Sequence, residues 1–517
     1  MSSNRFRLFP ALLLCVCLLA GCGKAPEADS RKPVNGLPET ADVLVFKDGS
    51  LLRPDGTLFA PDVYDADAAD PLYTADYAFS VVSGRLLYRD TADVLWLTDG
   101  ETRKKIAEHP AAWYTAAGLE TVAFTLKDPD SDAYGSLFLF GDAGLTPVDA
   151  DVLINSVRFS QDGKKVFYQK PCGQAFRLFV FENGKKAVKA EDALPLLWVN
   201  TDGSAAVTGQ ADAQGFTYRF YAKNFRKSLT VPVAAEASVS GDQRFVWLRT
   251  QGGLLKAITL NNLKDKVLAE NVSAFSVAGV TDDSRGAVYL VCDNADQELY
   301  SLYYTDTAGR STRLMHAVSA DAAAKAALNT LTGTGYAVAG DGSRTDGRLY
   351  RITLGNGGLS AETADTGTVT SPIYYETSDS LLYLKDVTAS DGQLFLANGS
   401  AVRSFGTVGL VYENGSPCPA AQVSNDGQRV FLARNVREQT VGDQTVWTGD
   451  PVIVSSESER TVGTDWVLSS LWAPAMNGDF SVICGLAKDG ENLVLHRVTP
   501  AGDEILLTGV DGLLTVS

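Results

Sequence analysis

The chain has 517 residues, 45% of them apolar, and a formal net charge of −17. That is enough apolar material for a large core, and a length that allows several ordinary domains or one long repeat array. The acidic balance argues against a nucleic-acid binder, which needs clustered Lys and Arg to displace counterions. It argues equally against adsorption to anionic lipid through protein charge.

In chain order, residues 1–21 read as a secretory signal. Arg5 and Arg7 form a positive start, Leu8 to Ala20 is a short apolar run, and small residues precede a cysteine. The run is shorter than the ~20 apolar residues a spanning helix needs. Leu19-Ala20-Gly21-Cys22 resembles the lipobox of bacterial lipoproteins. That resemblance implies lipidation of Cys22 through its sulfur, with Cys22 as the mature N-terminus and acyl chains such as palmitate as the lipid anchor. Residues 22–40 are rich in Pro, Gly, Ser and charge and read as a flexible tether. Cys15 and Cys17 leave with the signal, while Cys172, Cys292, Cys418 and Cys484 remain. An extracytoplasmic compartment permits disulfides. These four lie far apart without CxxC spacing and read as buried free thiols.

From residue 41 to 517 one pattern recurs. FSQDGKKVFY at Phe159 is echoed by VNTDGSAAVT at Val199, VSGDQRFVWL at Val239, VTDDSRGAVYL at Val280 and VSNDGQRVFLA at Val423. Asp162, Asp202, Asp242 and Asp283 follow one another at intervals of about 40 residues. Weaker copies bring the total to ten or eleven. Each is followed by an apolar-aromatic strand and a Gly-containing turn, as in RLFVFENG at Arg177 and GQLFLANG at Gly392. Asp-Gly and Asn-Gly tolerate the positive φ of hairpin turns. Each unit therefore predicts two hairpins, or four short strands. A period near 40 with four strands predicts an all-β protein, a β-propeller of about ten four-stranded units in one or two rings. SADAAAKAALNTL, from Ser319 to Leu331, reads as a helix, and a domain split is expected near 318–330.

FSQDGKKVFY followed by RLFVFENG resembles the WD40-like repeat of the TolB propeller, also found in prolyl oligopeptidase-type enzymes. The Pro usual before Asp-Gly is replaced by Gln161, Thr201 and Asn425. The resemblance implies a propeller fold and a role in envelope protein interactions. No GxSxG elbow occurs, and the sequence through EILLTGVDGLLTVS stays repeat-like, which leaves no hydrolase domain in this reading.

Chemistry is sparse along the chain. His109, His316 and His496 have no metal-ligand spacing. Asp128, Asp130 and Asp132 match the start of a calcium loop, yet Ala133 and Leu139 stand where Gly and Glu are required, so a solvated hairpin tip is the stronger reading. No nucleophile, base or metal constellation stands out, and no catalytic, metal or cofactor residue is assigned. The expectation is a lipid-anchored extracytoplasmic lipoprotein on the bacterial cell membrane. It is not an enzyme but a binding or scaffold module, held to the membrane through lipid on Cys22, with a protein or glycan partner in the envelope and no nucleic acid. The alternatives are a glycan- or peptide-binding receptor using Trp96, Trp113 and Trp247, or a propeller glycosidase or lyase using paired carboxylates.

Overall fold

The computed structural model describes residues 37–516 apart from 69–70, 214, 278–285, 321, 324–325, 330–331, 341–346, 356–357, 400, 414–415, 442–443 and 469–472. Cys22, the signal segment and most of the tether lie outside the described residues. Contacts divide the chain into two units. One holds His109–Gly333 with Leu354–Ser360; the other holds residues 37–108, Thr334–Thr353 and residues 361–516.

The all-β expectation holds. Antiparallel sheets follow one another along the sequence, most of them four strands wide and wired in chain order. Arg158–Phe159, Val166–Cys172, Ala175–Glu182 and Lys185–Ala193 make one such sheet. Its second strand shows why the apolar runs are continuous. Val166 and Tyr168 pack with Ala123, Leu137 and Val152 of the preceding sheet. Phe167 points the other way, to Leu196, Val199 and Ala206 of the next. A strand buried on both faces needs apolar residues at every position, whereas a strand with one wet face alternates. The outermost strands do face water. Arg103–Glu108 and Lys264–Ala269 carry lysines on exposed positions, which discourages edge-to-edge pairing with other chains.

The propeller expected from the period is not found. Among the described residues the pairing gives nine open sheets; none is closed or curled into a ring, and the ladders run only within each sheet. The turn spacing encodes the four-stranded unit, because turn chemistry is local. Closure depends on how many units pack and at what angles, which no single turn specifies. The units are also less uniform than the period implies. One sheet has seven strands because Lys227–Val239 pairs with Gly215–Ala222 by its first half and with Phe245–Thr250 by its second. It bends at Val233, whose φ is +55°. The described residues of the stretch expected to be a helix form none, and Ala327–Asn329 inside it is a short strand. In the second unit Val43–Lys47 pairs with Gly512–Thr515, Val45 lying opposite Leu513. No described helix is long and apolar enough to cross a membrane.

Candidate functional site

The recurring turn is a hydrogen-bonded device. In Ser160-Gln161-Asp162-Gly163 the Ser160 hydroxyl donates to Asp162 Oδ1 at 2.6 Å and accepts the Lys165 N–H at 3.0 Å. The Gly163 N–H donates to the Ser160 carbonyl at 2.9 Å, and Gly163 takes φ +70°. Ser240 and Ser424 repeat the arrangement with Asp242 at 2.7 Å and Asp426 at 2.5 Å. Asn200 substitutes an amide: its Nδ2 donates to Asp202 Oδ1 at 2.8 Å and its Oδ1 accepts from the Ala205 N–H at 2.8 Å. In these four copies the Asp serves the turn.

A residue next to the Asp reaches a neighbouring turn. In the first unit the Asp162 N–H donates to the Thr201 carbonyl at 2.9 Å. The Thr201 N–H donates to Gln243 Oε1 at 2.9 Å, and Gln243 Nε2 donates to Gln161 Oε1 at 2.5 Å. Gln161, Thr201 and Gln243 thus knit three successive turns together. In the second unit Asn425 does the corresponding work. Its Oδ1 accepts from the Leu37 N–H at 2.8 Å, its Nδ2 donates to the Leu37 carbonyl at 2.9 Å, and its N–H donates to the Gly478 carbonyl at 2.8 Å.

A cleft of about 360 Å³ opens beside the first network, between the two halves of the seven-stranded sheet. Ala205, Phe245 and Leu260 supply its apolar wall. Asn200, Ser204, Gln243, Thr259 and Asn261 supply amides and hydroxyls, and Lys223 and Arg244 supply charge. Lys223 stands at the start of Lys223-Asn224-Phe225, three successive non-glycine residues at φ +52°, +54° and +68°. Such a run costs energy unless its surroundings hold it. Here they do. The Asn224 N–H donates to the Ser204 carbonyl at 3.0 Å. The Phe225 ring lies 5.8 Å from Phe167 and 5.2 Å from Tyr221. Arg244 is aimed by its neighbour: Nε donates to Asp242 Oδ2 at 2.7 Å. Asp202 lies behind Asn200. Burial raises its pKa, but bonds from Ser204 and Asn200 and the charge of Lys165 outweigh that, so the carboxyl is held below its usual range.

Other residues singled out in the sequence fall elsewhere. Trp247 is fully buried in a core, so it offers no binding platform. Trp96 is capped: its Nε1 donates to Asp90 at 2.7 Å and the Arg103 guanidinium covers the ring at 3.8 Å. Trp113 is half-buried in the strand Ala112–Thr115. Asp128 caps a hairpin loop, accepting the Asp130 N–H at 3.0 Å, and Asp132 pairs with Lys127. His496 Nδ1 lies 3.0 Å from Asp503, in a strand. His109 takes φ +47°, and His316 is exposed on Ser311–Val318. Cys172, Cys292, Cys418 and Cys484 are all free thiols, but only Cys484 is buried, and burial pushes its thiol up to about 11. The residues lining the cleft include no carboxylate, so the paired acids a glycosidase needs are not assembled there. Lys223 and Arg244 were not anticipated. Their signals were faint: AKNFRK offers no glycine for its turn, and SGDQRF has Gln243, φ +56°, where Gly163, Gly203 and Gly427 stand in their copies.

No family model and no curated protein matches the chain. Among solved structures it is distantly similar to TolB from Acinetobacter baumannii, at 12% identity over 60% of this chain and 83% of that one, with a TM-score of 0.23. The tricorn protease gives 13% identity, 84% of this chain and 54% of that one, and a TM-score of 0.31. An oligogalacturonate lyase in complex with manganese gives 12%, 65%, 96% and 0.30 in the same order. These likenesses are distant and reach no further than the repeated β-sheet. The similar structures include a protease and a lyase as well as TolB. The expectation that the chain is not an enzyme does not stand, since a succession of small sheets is compatible with catalysis as well as with binding alone.

Proposed function

We propose that this chain is a lipid-anchored extracytoplasmic receptor that binds a glycan in the cleft between Asn200 and Asn261. The observation that carries this reading is the lining. Amides and hydroxyls from Asn200, Ser204, Gln243, Thr259 and Asn261 face a half-buried phenylalanine, Phe245. Small-ligand sites combine an apolar wall with a few placed polar groups. Sugars present both faces: hydroxyls for the amides and C–H surface for the ring. The network of Gln161, Thr201 and Gln243 keeps the cleft's floor in place without help from a ligand, which reduces the ordering cost of binding.

The test is a glycan array probed with the full-length protein in detergent, alongside a Phe245→Ala, Asn261→Ala variant. Binding of a defined glycan that the double variant loses supports the receptor reading; binding unaffected by the double variant moves the site elsewhere. Turnover of the bound glycan, followed by chromatography of the array hits, reports whether binding leads to chemistry. Attachment is tested separately. Cys22→Ser is expected to leave folding intact and to abolish membrane retention. Protein that stays with the membrane after a high-salt wash would show that another element anchors it.

A further inference from the structure

We propose that the glycan taken by this cleft is acidic, with a carboxylate received by Lys223 and Arg244; this rests on the receptor reading above. The chain carries 62 acidic residues against 45 lysines and arginines. Against that background the only charged residues lining the cleft are the two cations. Lys223 has no acidic partner within ion-pair distance among the described residues, and its side chain is exposed. Its placement is also costly. A turn of three non-glycine residues at positive φ would relax if any of the three were Gly, and instead Asn224 and Phe225 brace it so that Lys223 stands at the cleft.

Arg244 is prepared in a different way. Asp242 Oδ1 is taken up by the Ser240 hydroxyl at 2.7 Å and the Arg244 N–H at 3.1 Å, and Oδ2 accepts from Arg244 Nε at 2.7 Å. Asp242 therefore grips one edge of the guanidinium and leaves both terminal nitrogens to donate. A planar fork with two free N–H groups matches a carboxylate. Asp242 also offsets part of the positive charge, so the second cation, Lys223, is what makes the cleft attractive to an anion. Phe245 and Leu260 alongside fit the apolar face of a sugar ring bearing that carboxylate.

The experiment measures binding of the full-length protein to an array that pairs uronate-containing glycans with their carboxyl-reduced counterparts and adds short peptides with a free C-terminal carboxylate. The variants are Arg244→Lys, Arg244→Ala and Lys223→Asn; Asn tolerates the left-handed backbone while removing the charge. The side chains are exposed, so thermal unfolding is expected to stay near that of the parent protein. Acidic glycans are expected to bind about tenfold or more tightly than their reduced forms, with Arg244→Ala and Lys223→Asn each erasing most of that difference and Arg244→Lys restoring only part of it. Added salt is expected to weaken the acidic members alone. Equal binding of acidic and reduced glycans overturns the anion assignment and leaves the receptor reading standing. Binding of the peptides but of no glycan keeps the carboxylate chemistry and overturns the sugar. Binding of neither overturns both.

Discussion

Residue by residue, the turn copies differ in what they ask of position four. Gly163, Gly203 and Gly427 hold φ near +70° without strain, whereas Gln243 and Phe480 hold φ +56° with a side chain. At Gly163 space is short as well, since an added Cβ would meet the Ala116 Cβ at 3.0 Å. Gly163→Val is expected to destabilise by about 1 kcal/mol or more, and Gly163→Asn by less, because Asn tolerates positive φ. Urea unfolding of the two variants checks the order. Equal stability of both with the parent would mean that this turn relaxes freely. Gln243 has a compensation the glycines lack. Its amide ties Thr201 and Gln161, so the strained conformer is held by three bonds of 2.5 to 2.9 Å.

Between elements, a second recurring contact joins consecutive sheets away from the turns. Tyr168 donates to Asp149 Oδ2 at 2.9 Å, and Lys170 and Lys186 approach Asp149 Oδ1 at 3.3 and 3.1 Å. Tyr383 and Lys385 do the same for Asp365, at 2.5 and 2.8 Å. Each Asp lies on the last strand of one sheet and each Tyr-x-Lys on the second strand of the next. Burial raises the pKa of both carboxyls. Bonds from Lys186, Tyr168 and Lys170 in one case, and from Lys385 and Tyr383 in the other, outweigh it, and both are held below the usual carboxylate range. The sign follows by linkage. A carboxyl depressed in the folded state contributes stability that is fully present above its unfolded value, about 4, and is lost as pH falls through the lower folded value. Stability is therefore expected to drop with acidity below pH ~4. Asp149→Asn with Asp365→Asn is expected to lower stability at neutral pH and to flatten that drop. An unchanged acid slope in the double variant would remove these two contacts from the account.

Across the whole molecule, the strand Gly512–Thr515 completes a sheet with residues more than 400 positions earlier. Val45 is fully buried and Leu513 nearly so, so the pairing carries apolar burial as well as a backbone ladder. Removing residues 512–517, while keeping Asp511 and its bond to Tyr64, is expected to cost about 3 kcal/mol or more, since two leucines leave the interface and the Val43–Phe46 edge is exposed. Thermal unfolding of the truncated protein reads the loss. An unchanged midpoint would mean that this edge needs no partner. The charge balance also acts at this scale: against a net charge of −17, Lys223 and Arg244 are the charged residues lining the cleft, and both are cations.

The repeating unit was legible in the letters alone because its causes are local. Ser-x-Asp-Gly makes its bonds within five residues, and runs such as Val166-Phe167-Tyr168 announce strands buried on both faces. The lipobox-like run Leu19-Ala20-Gly21-Cys22 is local too, so the expectation for Cys22 arises without any fold. Tertiary structure decided the rest. It left the sheets open where a ring was expected, buried Trp247 and capped Trp96, and brought Lys223 and Arg244 to one cleft across 21 residues of sequence. The reason is physical: a turn or a strand is set by neighbours along the chain, while closure, burial and a binding site are set by which distant surfaces meet.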